Sequence, residues 1–148
     1  MAKIHVYLNF NGNCKDAFEF YSQVFSSPVK ETFLYDDMPI EPNSPALPDH
    51  AKGKVMHTSL MVNDTTMLMG ADVVEGFGGK LVNGNSAYVM LEAKDKEEST
   101  MLFQALSKNA KTLEMELGET FFAESFASLE DNFGIYWMIY FEGNKKMD

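Results

Sequence analysis

The chain has 148 residues, of which 45% are hydrophobic and 13% aromatic, with a formal net charge of −10. All 12 basic residues are lysines. An acidic chain without arginine lacks the concentrated basic surface that a phosphate backbone demands, so nucleic acid is not an expected partner. The one cysteine, Cys14, excludes an intrachain disulfide and a paired-cysteine redox or zinc motif.

Residues 4–10, Ile-His-Val-Tyr-Leu-Asn-Phe, read as a strand, and Met1–His5 enter it directly with no leader-like apolar region. Asn11-Gly12-Asn13 break the strand and offer a helix cap. Over 14–25, Ala17, Phe20, Tyr21, Val24 and Phe25 recur at helical spacing, opposite Lys15, Asp16, Glu19 and Gln23. A second strand is predicted over 29–35. Prolines at 39, 42, 45 and 48 then impose an exposed connection, either a flap over a site or a plain solvated loop.

Strands are predicted again over 55–62 and 66–71, followed by a glycine-rich stretch through Gly76, Gly78 and Gly79. Residues 86–92 restart the pattern as a strand. Asp95-Lys96-Glu97-Glu98 form a capping box before a helix over about 96–107. Strands over 111–117, 121–129 and 135–142 follow, the last two joined by Asp131-Asn132-Phe133-Gly134. The longest apolar stretch, Ile135–Phe141, falls far short of the roughly 18 residues a membrane helix needs. A soluble, cytoplasmic protein with no membrane partner is expected.

An ungapped shift of 81 residues lays the first half on the second: Tyr7 meets Tyr88, Lys15 meets Lys96, Asp16 meets Glu97 and Gln23 meets Gln104. The stripe Phe20, Tyr21, Val24, Phe25 meets Met101, Leu102, Ala105, Leu106. Element order and stripe repeat together, which argues for duplication. The expected organisation is one domain over 1–148, with module one over about 1–72, a linker over 73–85 and module two over 86–142.

The run Val6–Tyr21, VYLNFNGNCKDAFEFY, resembles the opening of the PhnB-like branch of the glyoxalase/bleomycin-resistance/dioxygenase group, the vicinal-oxygen-chelate superfamily. The resemblance continues at Tyr35–Pro39, Met56-His57 and Leu68–Asp72, and closes at Glu119–Ala123 and Asp131–Met138. It implies an α+β fold of two tandem βαβββ modules, each a curled mixed four-stranded sheet, around a cleft. Members of this branch are often labelled 3-demethylubiquinone methyltransferase-like. Gly76-Phe77-Gly78-Gly79 gives that label no support, because no helix pattern follows to close a nucleotide site.

Metal-dependent relatives hold their ion with His or Gln on a module's first strand and Glu on its last. Carried over, those positions fall on Val6 and Met69 in module one and on Ala87 and Met138 in module two. None supplies a nitrogen or carboxylate oxygen, so neither a metal nor another cofactor is expected. Taking Val6 as cleft-facing also turns Leu8, Phe10, Val89 and Leu91 inward, together with Met67, Met69, Tyr136, Met138 and Tyr140. His57 and Ser59 are assigned to the same side, with Ala123 and Ser125 as their counterparts.

The expected ligand-binding set is therefore His57, Ser59, Met69, Ser125, Tyr136, Met138 and Tyr140. The catalytic candidates are His57 and Glu124. His57 reads either as a general base or as a hydrogen-bonded structural histidine. Glu124 reads either as a buried proton carrier or as a strand-edge carboxylate. Cys14 is either a helix-start thiolate or an inert buried thiol. The 11 methionines either line an adaptable pocket or fill the core.

The function expected is metal-independent binding, by a homodimer, of a small, largely apolar molecule in the cleft between the modules, an uncharged or weakly polar aromatic one. Two alternatives stand beside it. One is a lyase, isomerase or dioxygenase with a metal at non-standard positions, and the other is a structural homodimer with a vestigial cleft.

Overall fold

Alternating apolar residues on the strands and apolar stripes on two helices leave each half of the chain with a face to bury. In the computed structural model, which describes residues 1–39 and 41–145, the chain divides into two compact units, Met1–Val82 and Asn83–Asp148. Unit one contains β1 (Val6–Phe10), α1 (Cys14–Phe25), β2 (Phe33–Leu34), β3 (Val55–Met61) and β4 (Met67–Asp72). Its sheet has the order β1-β4-β3-β2, with β1 parallel to β4 and the other pairs antiparallel. Unit two repeats this with β5 (Val89–Glu92), α2 (Lys96–Leu106), β6 (Thr112–Gly118), β7 (Ser125–Glu130) and β8 (Tyr136–Phe141), in the order β5-β8-β7-β6. The α+β architecture of two βαβββ modules is thus present, each with an open mixed sheet.

In unit one, α1 buries Cys14, Ala17, Phe18 and Tyr21 against the sheet. Leu8, Phe10, Leu60 and Leu68 answer from the strands. Phe10, Phe18 and Tyr21 form a ring cluster with centroids 5.7–6.4 Å apart. Gly70 lies under Phe18, and a Cβ there would strike the ring. Phe18, not Phe20, is therefore the buried aromatic of this turn.

The start of α1 is capped from a distance. Asn13 makes no side-chain cap; instead the N–H groups of Gly12 and Cys14 donate to Asp72 Oδ1, at 2.9 and 3.0 Å. Asp72 Oδ2 accepts from Val55 N–H at 2.9 Å, so this buried carboxylate joins three segments. Carboxylate charge at a helix N-terminus also complements the helix dipole. The helix ends at Ser26, which takes a left-handed conformation, two residues before Pro28.

In unit two, Leu129, Trp137 and Ile139 are fully buried beneath α2. Asp95 caps α2 locally, accepting from Glu98 N–H at 2.7 Å, while Glu98 Oε1 accepts from Lys94 N–H at 3.0 Å. Met101 is 68% exposed, so it leaves the buried stripe that sequence spacing assigned to it. Asp131 Oδ1 accepts from Phe133 and Ile135 N–H, and its Oδ2 accepts from Trp137 Nε1–H at 2.8 Å.

β2 and β7 each start four residues later than expected, β5 three and β1 two. β2 pairs only at Phe33 and Leu34, where its register against β3 shifts, and upstream Lys30 N–H donates to Ser59 O. β7 starts at Ser125 rather than 121. Thr120 N–H donates to Ala123 O and Phe122 N–H to Thr120 Oγ1, closing a turn that leaves Phe121 79% exposed.

Candidate functional site

Strand register decides which side chains share the face away from each helix. In unit one, Tyr7 lies beside Met69, and Met69 beside Ser59. Leu8 lies beside Gly70 and Gly70 beside Thr58, on the side that α1 covers. Alternation therefore places Tyr7, Asn9, His57, Ser59 and Met69 together on the open face. The expectation that Val6, Leu8 and Phe10 line the site is overturned, since Leu8 and Phe10 are core residues under α1. Tyr7 and Asn9 replace them.

Unit two shows the same inversion. Val89 and Leu91 pair with the buried Trp137 and Ile139, so the open face carries Met90 and Glu92 with Tyr136, Met138 and Tyr140. Ser128 pairs with Met138 as Ser59 pairs with Met69. Ser125 shares a side with Ala127 and Leu129, toward α2, so its assignment to the open face does not hold. The open-face counterparts of His57 and Ser59 are Phe126 and Ser128.

Unit one has a hollow on its open face. A cavity of about 480 Å³ is lined by Tyr7, Asn9, Tyr35, Met56, Ala71, Asp72 and the segment from Val73 to Val82, except Glu75 and Gly76. Met56 reaches it because β3 breaks alternation: Val55 and Thr58 both line a smaller crevice against α1. Three anchors set the floor and wall. Tyr35 Oη–H donates to Asp72 O at 2.8 Å, the Tyr35 and Phe77 rings lie 6.0 Å apart, and His50 Nε2–H donates to Glu75 O at 3.2 Å.

Tyr7 is 49% exposed and its Oη lies 3.3 Å from His57 Nδ1. With the imidazole proton on Nε2, the phenol donates to Nδ1. Desolvation of the phenol and, second, the nearby Cys14 sulfur push the Tyr7 pKa up. Desolvation likewise raises Tyr35, with added contributions from Tyr7, Asp72 and Cys14. Both phenols thus stay protonated and act as hydrogen-bond donors. Cys14 is fully buried, and burial followed by the Asp72 carboxylate pushes its thiol up to about 12. Of its two readings, the inert thiol is the one its surroundings allow.

Glu124 belongs to a terminal turn. Its Oε2 accepts from Asn144 N–H, and a Cβ at Gly143 would collide with its carboxylate. His5 Nδ1 accepts from Met67 N–H at 2.9 Å and so ties the chain entering β1 to β4.

The open face of unit two carries a second polar group that sequence spacing missed. Glu114 accepts from Tyr88 Oη–H at 2.8 Å and from Ser128 Oγ–H at 2.8 Å, and the Tyr88 and Tyr136 rings meet edge to face at 5.3 Å. The hydrogen bond to Glu114, then desolvation, raises Tyr88.

Neither a divalent ion nor a nucleotide-type cofactor fits these residues. The open-face neighbours are Tyr7 with Met69 and Met90 with Met138, a phenol and three thioethers. Among the described residues, no three His, Cys, Asp or Glu side chains gather to hold a metal. β4 leads through Gly76–Gly79 into β5, not into a helix, so this glycine run forms no strand–glycine turn–helix cradle. Among the described residues, no helix is long and apolar enough to cross a membrane.

Residues 2–140 match the family described as 3-demethylubiquinone-9 3-methyltransferase. The chain is 29% identical to protein YjdN of Escherichia coli K12 over 145 residues, covering 90% of each. It is 32% identical to protein PA1353 of Pseudomonas aeruginosa, with a TM-score of 0.79 over 96% of this chain and 98% of that one. A protein titled putative 3-demethylubiquinone-9 3-methyltransferase, PhnB protein, from Bacillus cereus aligns at 24% identity and TM-score 0.73, covering 95% and 99%. At 10% identity, a glyoxalase/bleomycin resistance protein/dioxygenase domain from Frankia still shares the fold, with a TM-score of 0.66 over 99% and 96%. The chain belongs to the 3-demethylubiquinone-9 3-methyltransferase family and shares its fold with a glyoxalase/bleomycin resistance protein/dioxygenase domain.

Proposed function

We propose that this PhnB-like protein binds a small, largely apolar aromatic molecule, without a metal, in the hollow on the open face of unit one. The observation that carries the reading is the hollow itself. It has the size of a small-molecule site, and its walls combine aromatic rings with a few polar tips. Tyr7, Tyr35 and Phe77 supply ring surface, and Met56 supplies an adaptable thioether. The Tyr7–His57 pair adds a directional contact at one side. Ser59 and Met69 extend the same face beyond the hollow, and Tyr136, Met138 and Tyr140 form the corresponding face of unit two.

A thermal-shift screen of aromatic metabolites tests this, because a ligand that binds only the folded state raises the unfolding midpoint. Hits are expected to weaken in Tyr7→Phe and His57→Ala and to vanish in Tyr35→Ala. Full affinity in all three folded variants would move the ligand elsewhere.

Homodimerisation belongs to the same proposal. β1, β2, β5 and β6 are edge strands of their own sheets, and β6 exposes Leu113 and Met115. Such edges favour a covering partner, and a two-fold pair is the commonest one.

A further inference from the structure

The hollow of unit one has an ionic asymmetry that bears on what enters it. Its one lining carboxylate, Asp72, is committed on both oxygens to the N–H groups of Gly12, Cys14 and Val55. The Asp72 carbonyl is taken by Tyr35. No lining acid is left to receive a cation. Donors are in the opposite position. Lys80 stands on the rim with no ion-pair partner among the described residues. The neighbouring backbone N–H groups of Gly78 and Gly79 donate to no described residue. Asn9 adds a side-chain amide on the floor. The nearby acid Glu75 does not line this hollow; it lines an adjoining one, which Gly78, Gly79 and Lys80 also line.

Resting on the binding reading above, we infer that the ligand is an aromatic acid, seated with its ring toward Tyr7, Tyr35 and Phe77 and its carboxylate at Lys80 and the Gly78–Gly79 amides. A charge-assisted hydrogen bond is roughly twice as strong as a neutral one, so an anionic oxygen gains most from this rim. The overall charge of −10 opposes any anion at long range. Salt screens that field beyond about 8 Å, whereas the rim donors act at contact. The hollow therefore selects for an acid group through local donors against an unfavourable global field. An arginine-free chain makes this contact as a point charge plus amides, not as a planar fork.

The test uses para-hydroxybenzoate and its methyl ester, which share a ring and differ in charge. Methyl-labelled methionine NMR follows Met56, whose side chain lines the hollow. The acid is expected to shift the Met56 signal at about tenfold lower concentration than the ester. Lys80→Met should erase that difference, and Lys80→Arg should keep it. An ester that binds as well as the acid, or a preference that survives Lys80→Met, overturns the acid inference while leaving the hollow as a binding site. If neither probe moves the Met56 signal at saturating concentration, the binding reading falls and the acid inference with it.

Discussion

The Cys14 amide and the Asp72 carboxylate meet 3.0 Å apart in the buried junction where β4 reaches the start of α1. The Cys14 side chain is sealed there with that carboxylate as a neighbour, and its thiol is pushed up to about 12. Ellman's reagent is expected to leave the native protein unmodified near pH 8 and to react once urea unfolds it. The folded value lies above the unfolded one, so this contribution to stability is complete below about pH 9. It is lost as pH rises from there through about 12. Rapid labelling of native protein at pH 8 would contradict this.

Replacing Asp72 should cost more than any other single polar change in unit one. Asp72→Asn puts an amide N–H₂ where one carboxylate oxygen now accepts, leaving at least one buried backbone N–H facing a donor. The expected loss is about 2–4 kcal/mol, because a buried group is left unsatisfied. Urea titration followed by far-ultraviolet circular dichroism, which reads both units, measures it. A loss below about 0.5 kcal/mol, the usual scale of an unremarkable surface change, would mean that solvent reaches the junction.

Tyr88 is expected to titrate above ordinary tyrosine, because it donates to Glu114 and ionisation would place two negative charges together. Glu114→Gln should lower its midpoint toward the usual value. Ultraviolet difference titration of wild type and variant reads the change. An identical profile in both would show that the Tyr88–Glu114 bond does not form in solution.

Sedimentation equilibrium at micromolar concentration is expected to give twice the chain mass of 16.7 kDa. A charge placed on the edge strand β6, as in Met115→Lys, tests whether that edge takes part. Wild type at the single-chain mass would end the homodimer proposal.

Most elements are legible in the sequence because helical and strand periodicities are distinct over Cys14–Phe25, Val55–Met61 and Tyr136–Phe141. The face assignments were harder. Val6, Leu8 and Phe10 alternate with Tyr7 and Asn9, and that plain apolar alternation already marks the core side of β1. Carrying a relative's metal position onto Val6 turned the strand by one residue and inverted every side chain on it. The mismatch between Ser125 and Ser128 has another source. The expected strand runs from 121, but Thr120–Ala123 close a turn and β7 starts only at Ser125, so a count from the expected start of the strand slips its register. Lys80 left no signal, since the irregular segment after β4 has no periodicity to read. Its placement comes from the tertiary anchors at His50 and Tyr35.

The two helices differ in how far along the chain their first turn must look for a partner. α2 is capped by Asp95, three residues before Glu98, so it can nucleate as soon as its own residues exist. α1 depends on Asp72, which lies 58 residues beyond Cys14. During synthesis α1 therefore waits for β4 to emerge, and its first turn closes together with the sheet. Two modules with one architecture thus close the first turns of their helices over different spans, one local and one long-range, and closing the longer span costs more chain entropy.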